Sequence, residues 1–94
     1  MLFRSLGNTL RALGDHAESE RWLREALRLC LLHESRNEAV TRENLARTLA
    51  ASGERDAALA QQQRAIDAYR RHYGDDADAA RSARERLESM RGPG

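Results

Sequence analysis

Lysine is missing altogether, so all 16 strongly basic side chains are Arg. Against them stand 15 acids spread through the same stretches, for a net charge of +1. A nucleic-acid interface gathers its basic side chains on one face. Here Arg alternates with Glu and Asp, the pattern of solvated helix faces laced by ion pairs one turn apart. The single Cys30 and three His supply neither a disulfide framework nor a set of metal ligands. A single cysteine suits a reducing cytoplasm. Proline occurs once, at Pro93, and the only aromatics are Phe3, Trp22, Tyr69 and Tyr73. Ala, Leu, Arg and Glu dominate instead, a mix that favours helix over strand. The longest apolar run is Leu29-Cys30-Leu31-Leu32, far below the roughly 20 residues that cross a bilayer. Arg4 interrupts Met1-Leu2-Phe3, so no signal peptide is expected. A chain of 94 residues is one small domain with a modest core.

What the chain does contain is a repeat at a spacing of 39 residues. Leu6 falls on Leu45, Thr9 on Thr48, Leu10 on Leu49, Ala12 on Ala51, Gly14 on Gly53, Ala26 on Ala65 and His33 on His72. Gly7 over Ala46, Asp15 over Glu54, Ser19 over Ala58 and Leu27 over Ile66 preserve size or charge. A period of roughly 20 to 50 residues marks stacked repeats, and these present surfaces more often than catalytic centres.

Five helices can be placed. The first runs from about Leu2 to Leu13, with Leu2, Leu6, Leu10 and Leu13 as one inward stripe. Gly14 ends it, and Asp15 with Glu18 forms a capping-box pattern for the second. The second buries Leu23, Ala26, Leu27, Cys30 and Leu31 and ends near Leu32. Ser35-Arg36-Asn37-Glu38 reads as another capping box, opening a third helix that buries Leu45, Ala46 and Leu49. Gly53 repeats the role of Gly14. A fourth helix spans about 55–72, with Ala58, Ala65, Ile66 and Tyr69 inward, and Gly74 terminates it. Asp75 or Asp76 is expected to cap the fifth, whose Ala79, Ala83, Leu87 and Met90 share a face. Two hairpins and an extra helix follow, each hairpin needing its neighbour to cover an apolar flank. The expected division is repeat 1 at about 2–34, repeat 2 at about 36–73, a capping helix at about 76–91 and a tail at 92–94.

These residues resemble the tetratricopeptide repeat family. Helix A of the pattern is met by Phe3, Leu6-Gly7, Leu10 and Gly14, then by Leu45-Ala46, Leu49 and Gly53. Helix B is met by Ser19, Leu23, Ala26 and Leu27, then by Ala58, Gln62, Ala65 and Ile66. Spacings of 39 and then 42 residues (Leu6, Leu45, Leu87) are similar to the longer-repeat branch of kinesin light chains and bacterial signalling proteins. Two departures stand out. Gln62 occupies a large apolar position and Arg42 stands where the first unit has Phe3, so the second hairpin is expected to pack loosely. The resemblance implies an all-α, right-handed α-α superhelix of two helix-turn-helix repeats plus a C-terminal capping helix.

It also implies that the first helix of each pair lines a concave groove for an extended peptide. The matching positions are Arg4, Asn8 and Arg11 on the first helix, Glu43, Asn44 and Arg47 on the third, and Arg86 on the fifth. Arg4, Asn8, Asn44 and Arg86 are similar to part of the family's carboxylate clamp, with Ser82 in place of one basic residue. An Asn can pair with both C=O and N–H of a peptide group, and Arg gives charge-assisted bonds to carboxylates. The bland alternative pairs Arg47 with Glu43 along the helix and leaves Arg86 to solvent. His33 and His72 suit the negative ends of their helices. Asp75-Asp76-Ala77-Asp78 lacks the glycine and terminal glutamate of a calcium loop. Ser5, Thr9 and Thr48 show no triad order, and no catalytic constellation is present.

The expectation is therefore a non-enzymatic protein-interaction scaffold, cytoplasmic and bacterial, without cofactor, metal, nucleic acid or membrane. Its partner is a protein or peptide, or else a homo-oligomer or neighbouring repeats. The alternative is a fragment of a longer array in a multidomain regulator such as a kinase or transcription factor. Its open ends, with Leu2, Phe3 and Met90, would then dock on neighbouring repeats.

Overall fold

The computed structural model of the protein describes residues 2–92, with Leu2 described in its backbone only. Expectations for the Leu2 side chain and for Pro93-Gly94 lie outside the described residues. Five helices follow in order: α1 (Leu2–Ala12), α2 (His16–Leu32), α3 (Glu38–Ala51), α4 (Arg55–Tyr73) and α5 (Asp78–Arg91). No strand occurs among the described residues. Helices α1 and α2 form one antiparallel hairpin and α3 and α4 a second. The α2 helix packs on α3 and α4 on α5, so each helix meets chiefly its sequence neighbours. The result is an all-α helical-repeat solenoid, a slab of 38 × 34 × 17 Å.

The two hairpin turns repeat in atomic detail. Gly14 and Gly53 both adopt φ +86, a region costly for a side chain. The Asp15 N–H donates to Leu10 O at 2.9 Å, and Glu54 N–H to Leu49 O at 2.9 Å. These are the six-residue closures of a Schellman turn. Asp15 also caps α2, its Oδ1 accepting the Glu18 N–H at 3.2 Å. The end of α2 has no glycine, and two expected caps differ. The α2 helix closes with Ser35 N–H on Cys30 O at 2.8 Å, and Glu34, not a glycine, takes the left-handed position at φ +50. The Ser35-to-Glu38 capping box does not form: Ser35 Oγ accepts from the Asn37 N–H at 3.1 Å, and the Glu38 carboxylate is held elsewhere. Neither Asp75 nor Asp76 caps α5; Ala77 occupies the cap, while Asp75 accepts from Arg70 at 3.1 Å.

Close packing explains the small residues. A Cβ added to Gly7 would lie 2.5 Å from Leu23 Cγ, so α1 approaches α2 only because position 7 has no side chain. At the same crossing Ser19 Oγ donates to Gly7 O at 2.7 Å and lies 2.9 Å from Thr48 Oγ1. That satisfies a buried hydroxyl which would otherwise destabilise the junction. Leu23, Leu27, Leu45, Leu49 and Ala58 make one core cluster, with Met90 packed against it. Ala39, Ile66, Ala68, Tyr69, Ala80, Ala83 and Leu87 make another. Cys30 is buried in the first hairpin, its Sγ 3.7 Å from Thr41 Oγ1.

The expected inward stripe of α1 is only partly realised. Leu6 is 37% exposed and Leu13 77%, whereas the repeat equivalent of Leu6, Leu45, is fully buried. The reason is geometric: α3 has α2 in front of it and α1 has no helix in the corresponding place. Leu31, expected inward, is also half exposed.

Candidate functional site

The seven site residues expected from the sequence sit on the first helices of the stack, α1, α3 and α5. They separate into two groups. Glu43 and Arg86 close on one another. Arg86 donates from Nε to Glu43 Oε2 at 2.6 Å and from its terminal nitrogen to Oε1 at 2.9 Å. The same carboxylate accepts Tyr69 OH at 2.8 Å and Gln62 Nε2 at 2.8 Å. Glu43 is 3% exposed. Burial pushes its carboxyl up, but the hydrogen bonds from Arg86, Gln62 and Tyr69 together with the Arg86 charge outweigh it and hold the group below the usual carboxylate range. Burial, then the bond to Glu43, pushes the Tyr69 phenol well up. The bond to Glu43 raises Arg86 in turn.

This knot overturns the expected loose packing of the second hairpin. Gln62 is buried, and its amide donates to both Glu43 and Ala83 O, the latter at 3.0 Å. It ties α4 to α3 and α5 where Leu23 of the first unit only packs. Arg42 is likewise no defect. Its Nε donates to Glu38 Oε2 at 3.0 Å and its terminal nitrogen to Gln61 Oε1 at 3.1 Å. The equivalent pair in the first unit is Phe3 and Trp22, whose rings meet tilted with centroids 5.2 Å apart. One notch is thus filled by an aromatic pair in one repeat and by a guanidinium–amide pair in the next. Pairing of Arg47 with Glu43 is replaced by Arg86 with Glu43.

Sequence reasoning missed a second buried carboxylate. Glu38 Oε1 accepts from Arg71 at 2.8 Å and lies 3.2 Å from His72 Nε2, while Oε2 takes Arg42. His72 therefore serves α3 through a side-chain contact as well as ending α4. Burial pushes Glu38 up, and bonds from Arg42, His72 and Arg71 bring it below its ordinary value. The Glu38–Arg42 spacing of one turn was the only local signal; Arg71 and His72 arrive from more than 30 residues away.

The second group lies at the α1–α3 junction. Arg11 donates to Asn44 O at 3.4 Å. Burial, then the nearby charge of Arg47, lowers Arg11 from its ordinary value. Asn44 is buried and Arg47 exposed. Neither Arg11 nor Arg47 pairs with a carboxylate of the described residues. One turn back on α1, Asn8 Oδ1 is buried without a hydrogen-bond partner, and Arg4 is partly buried. Two like charges beside an unsatisfied acceptor suit a ligand that brings negative charge and N–H donors. Among the described residues no group of three His, Cys, Asp or Glu side chains could hold a metal. No described helix is long and apolar enough to cross a membrane.

The tetratricopeptide repeat family model matches residues 1–71. No curated protein and no solved structure matches the chain. The match takes in both hairpin turns, the Gly7–Leu23 crossing and the Arg11–Arg47 junction, and on that footing the chain belongs to the tetratricopeptide repeat family.

Proposed function

We propose that this protein is a non-enzymatic binding module that holds an extended acidic segment of a partner across the α1–α3 junction. Repeats of the family generally mediate protein–protein interaction. The observation that carries the finer reading is the like-charge pair Arg11 and Arg47, left without a carboxylate beside Asn44 and the orphaned Asn8 carbonyl. Arg4 extends the basic edge of the groove. Glu43 and Arg86 build its wall, because their charges are spent on each other. The 39- and 42-residue spacing supports the longer-repeat branch. The Arg-only basic set and buried Cys30 support a bacterial, cytoplasmic setting.

The test is binding of an acidic peptide by wild type, Arg47→Glu and Asn44→Ala, read by fluorescence polarisation. Arg47→Glu is expected to weaken binding about tenfold or more, since a charge-assisted contact contributes ~1.5–3 kcal/mol. Asn44→Ala should weaken it with helicity kept. Unchanged affinity in both variants removes the groove assignment.

A second reading rests on the open α1 face. Leu6 is 37% exposed where Leu45 is fully covered, so a preceding repeat of a longer array, or another copy, would find the same seat that α2 finds on α3. Sedimentation over a wide concentration range checks the homo-oligomeric form. Self-association that Leu6→Gln and Leu13→Gln abolish is the expected result, and a monomer throughout ends it.

A further inference from the structure

The turn end of the second hairpin meets α5 around a cavity of about 230 Å³, lined by Ala50, Arg55, Ala58, Leu59 and Met90. The repeat explains the opening. The residues 39 before the first four are Arg11, His16, Ser19 and Glu20, and Thr48 stands 42 before Met90. In the first unit Arg11 reaches from α1 to the Asn44 carbonyl of α3, and Ser19 meets Thr48 at 2.9 Å. Ala50 and Ala58 stand in place of Arg11 and Ser19, and a methyl group can make neither contact. The space that a guanidinium stem and a hydroxyl take at the first junction stays open at the second. Leu59 packs against one core cluster and Met90 against the other, so the lining is apolar and anchored. Arg55 is its single charge. That side chain is exposed, donates to the Arg91 carbonyl and pairs with no carboxylate of the described residues. An Arg fork has several N–H donors, and the others are open to an anion.

We propose that this cavity binds a small free monocarboxylic acid with a short aliphatic body. An apolar cavity of about 150 Å³ holds benzene, whereas drug-sized ligands occupy about 300–1,000 Å³. The volume here falls between the two and fits a body of about five or six carbons. That body enters among Ala58, Leu59 and Met90. The carboxylate stays at the mouth, where Arg55 gives it a charge-assisted hydrogen bond. Burial of the body supplies affinity, and the guanidinium selects the anion over a neutral alcohol of the same shape. A bound acid touches α3, α4 and α5 at once and so ties the last helix to the second hairpin. The site stands apart from the Arg11–Arg47 junction, and neither needs the other.

The Met90 methyl resonance, assigned with Met90→Leu, reports binding to the whole chain at neutral pH. The probes are hexanoate, isocaproate, acetate and hexanol. Hexanoate and isocaproate should shift the resonance saturably. Acetate lacks the body and hexanol lacks the charge, so each should bind at least about tenfold more weakly. Arg55→Gln should bring hexanoate down to the affinity of hexanol. Ala50→Leu puts bulk at the exposed mouth and should remove binding, with helicity kept. A short peptide ending in Leu separates a free acid from a chain terminus, and should bind no more tightly than isocaproate. No saturable shift with either acid overturns the site. Hexanol matching hexanoate, or hexanoate unaffected by Arg55→Gln, overturns the acid as the ligand. Full binding kept in Ala50→Leu overturns the cavity as its seat. A Leu-terminated peptide much tighter than isocaproate overturns the free acid in favour of a chain end. Acidic-peptide binding at the α1–α3 junction is read separately, through Arg47→Glu, so either site can fail without the other.

Discussion

Replacing Glu43 with Ala is expected to cost about 3 kcal/mol, the lower part of the ~3–5 kcal/mol range for breaking a buried ion pair. Arg86 is 41% exposed, so water recovers part of its stranded charge. The remainder comes from neighbours that water reaches poorly. Tyr69 OH loses its acceptor, and Gln62 keeps only the Ala83 carbonyl. A small domain has about 5–15 kcal/mol in total, so thermal melts followed by circular dichroism should shift down by many degrees. Glu43→Gln keeps the shape and removes the charge, and should fall between wild type and Glu43→Ala. The sign with pH follows from the direction of the shift. Glu43 and Glu38 are both held below the ordinary carboxylate range when folded. Their stabilisation is therefore complete above the unfolded value of about 4.3 and is lost as pH falls through the lowered folded values. Urea unfolding at a series of acid pH values should show wild type losing stability over that window and Glu43→Gln losing less. Identical acid limbs in the two proteins would contradict the knot.

Leu23→Ala carries the other large effect, ~2–5 kcal/mol for a fully buried leucine. Its value lies in what it does to position 7. In wild type, Gly7→Ala drives a methyl to 2.5 Å from Leu23 Cγ, and overpacking of this kind costs ~1–3 kcal/mol. Once Leu23 is Ala the two closest obstructing atoms are gone, and the Ser19 carbonyl at 3.3 Å has only a few tenths of an ångström to give. Gly7→Ala should then stabilise by up to ~1 kcal/mol, the ordinary preference of a helix interior for Ala over Gly. The same substitution thus changes sign with its neighbour. Denaturant unfolding of the four proteins of the cycle measures the coupling, and simple additivity would show that α1 and α2 are not in contact there.

The parts of this fold legible from sequence are those that short range decides. Gly14 and Gly53 announce their turns because a left-handed residue is needed at a fixed place after each apolar stripe. Ser19, Ala58 and Ala65 announce close helix crossings by their size. Gln62 and Arg42 misled because their partners come from elsewhere in the chain. Glu43 lies 19 residues from Gln62, and Ala83 lies 21 beyond it, so no window of sequence pairs them. Read alone, a polar residue in an apolar position signals weakness; with its acceptors in place it is a tie. Leu13 misled in the opposite way, since helical spacing identifies a stripe without saying whether anything covers it. At the candidate site, Arg4 with Glu43 and Asn8 with Arg47 were legible as residues 39 apart on repeated helices. The capture of Arg86 by Glu43 was not, because it spans 43 residues.

The notch filled by Phe3 and Trp22 in one unit and by Arg42 and Gln61 in the next has an optical consequence. Trp22 is the sole indole, and its counterpart is a non-fluorescent amide. Both phenols lie at the far end of the second hairpin, with Tyr69 and Tyr73 rings 6.2 Å apart. Indole emission therefore reports on the first pair of helices and tyrosine absorbance on the second. Fraying at either tip of the stack can be followed by colour, with no label attached.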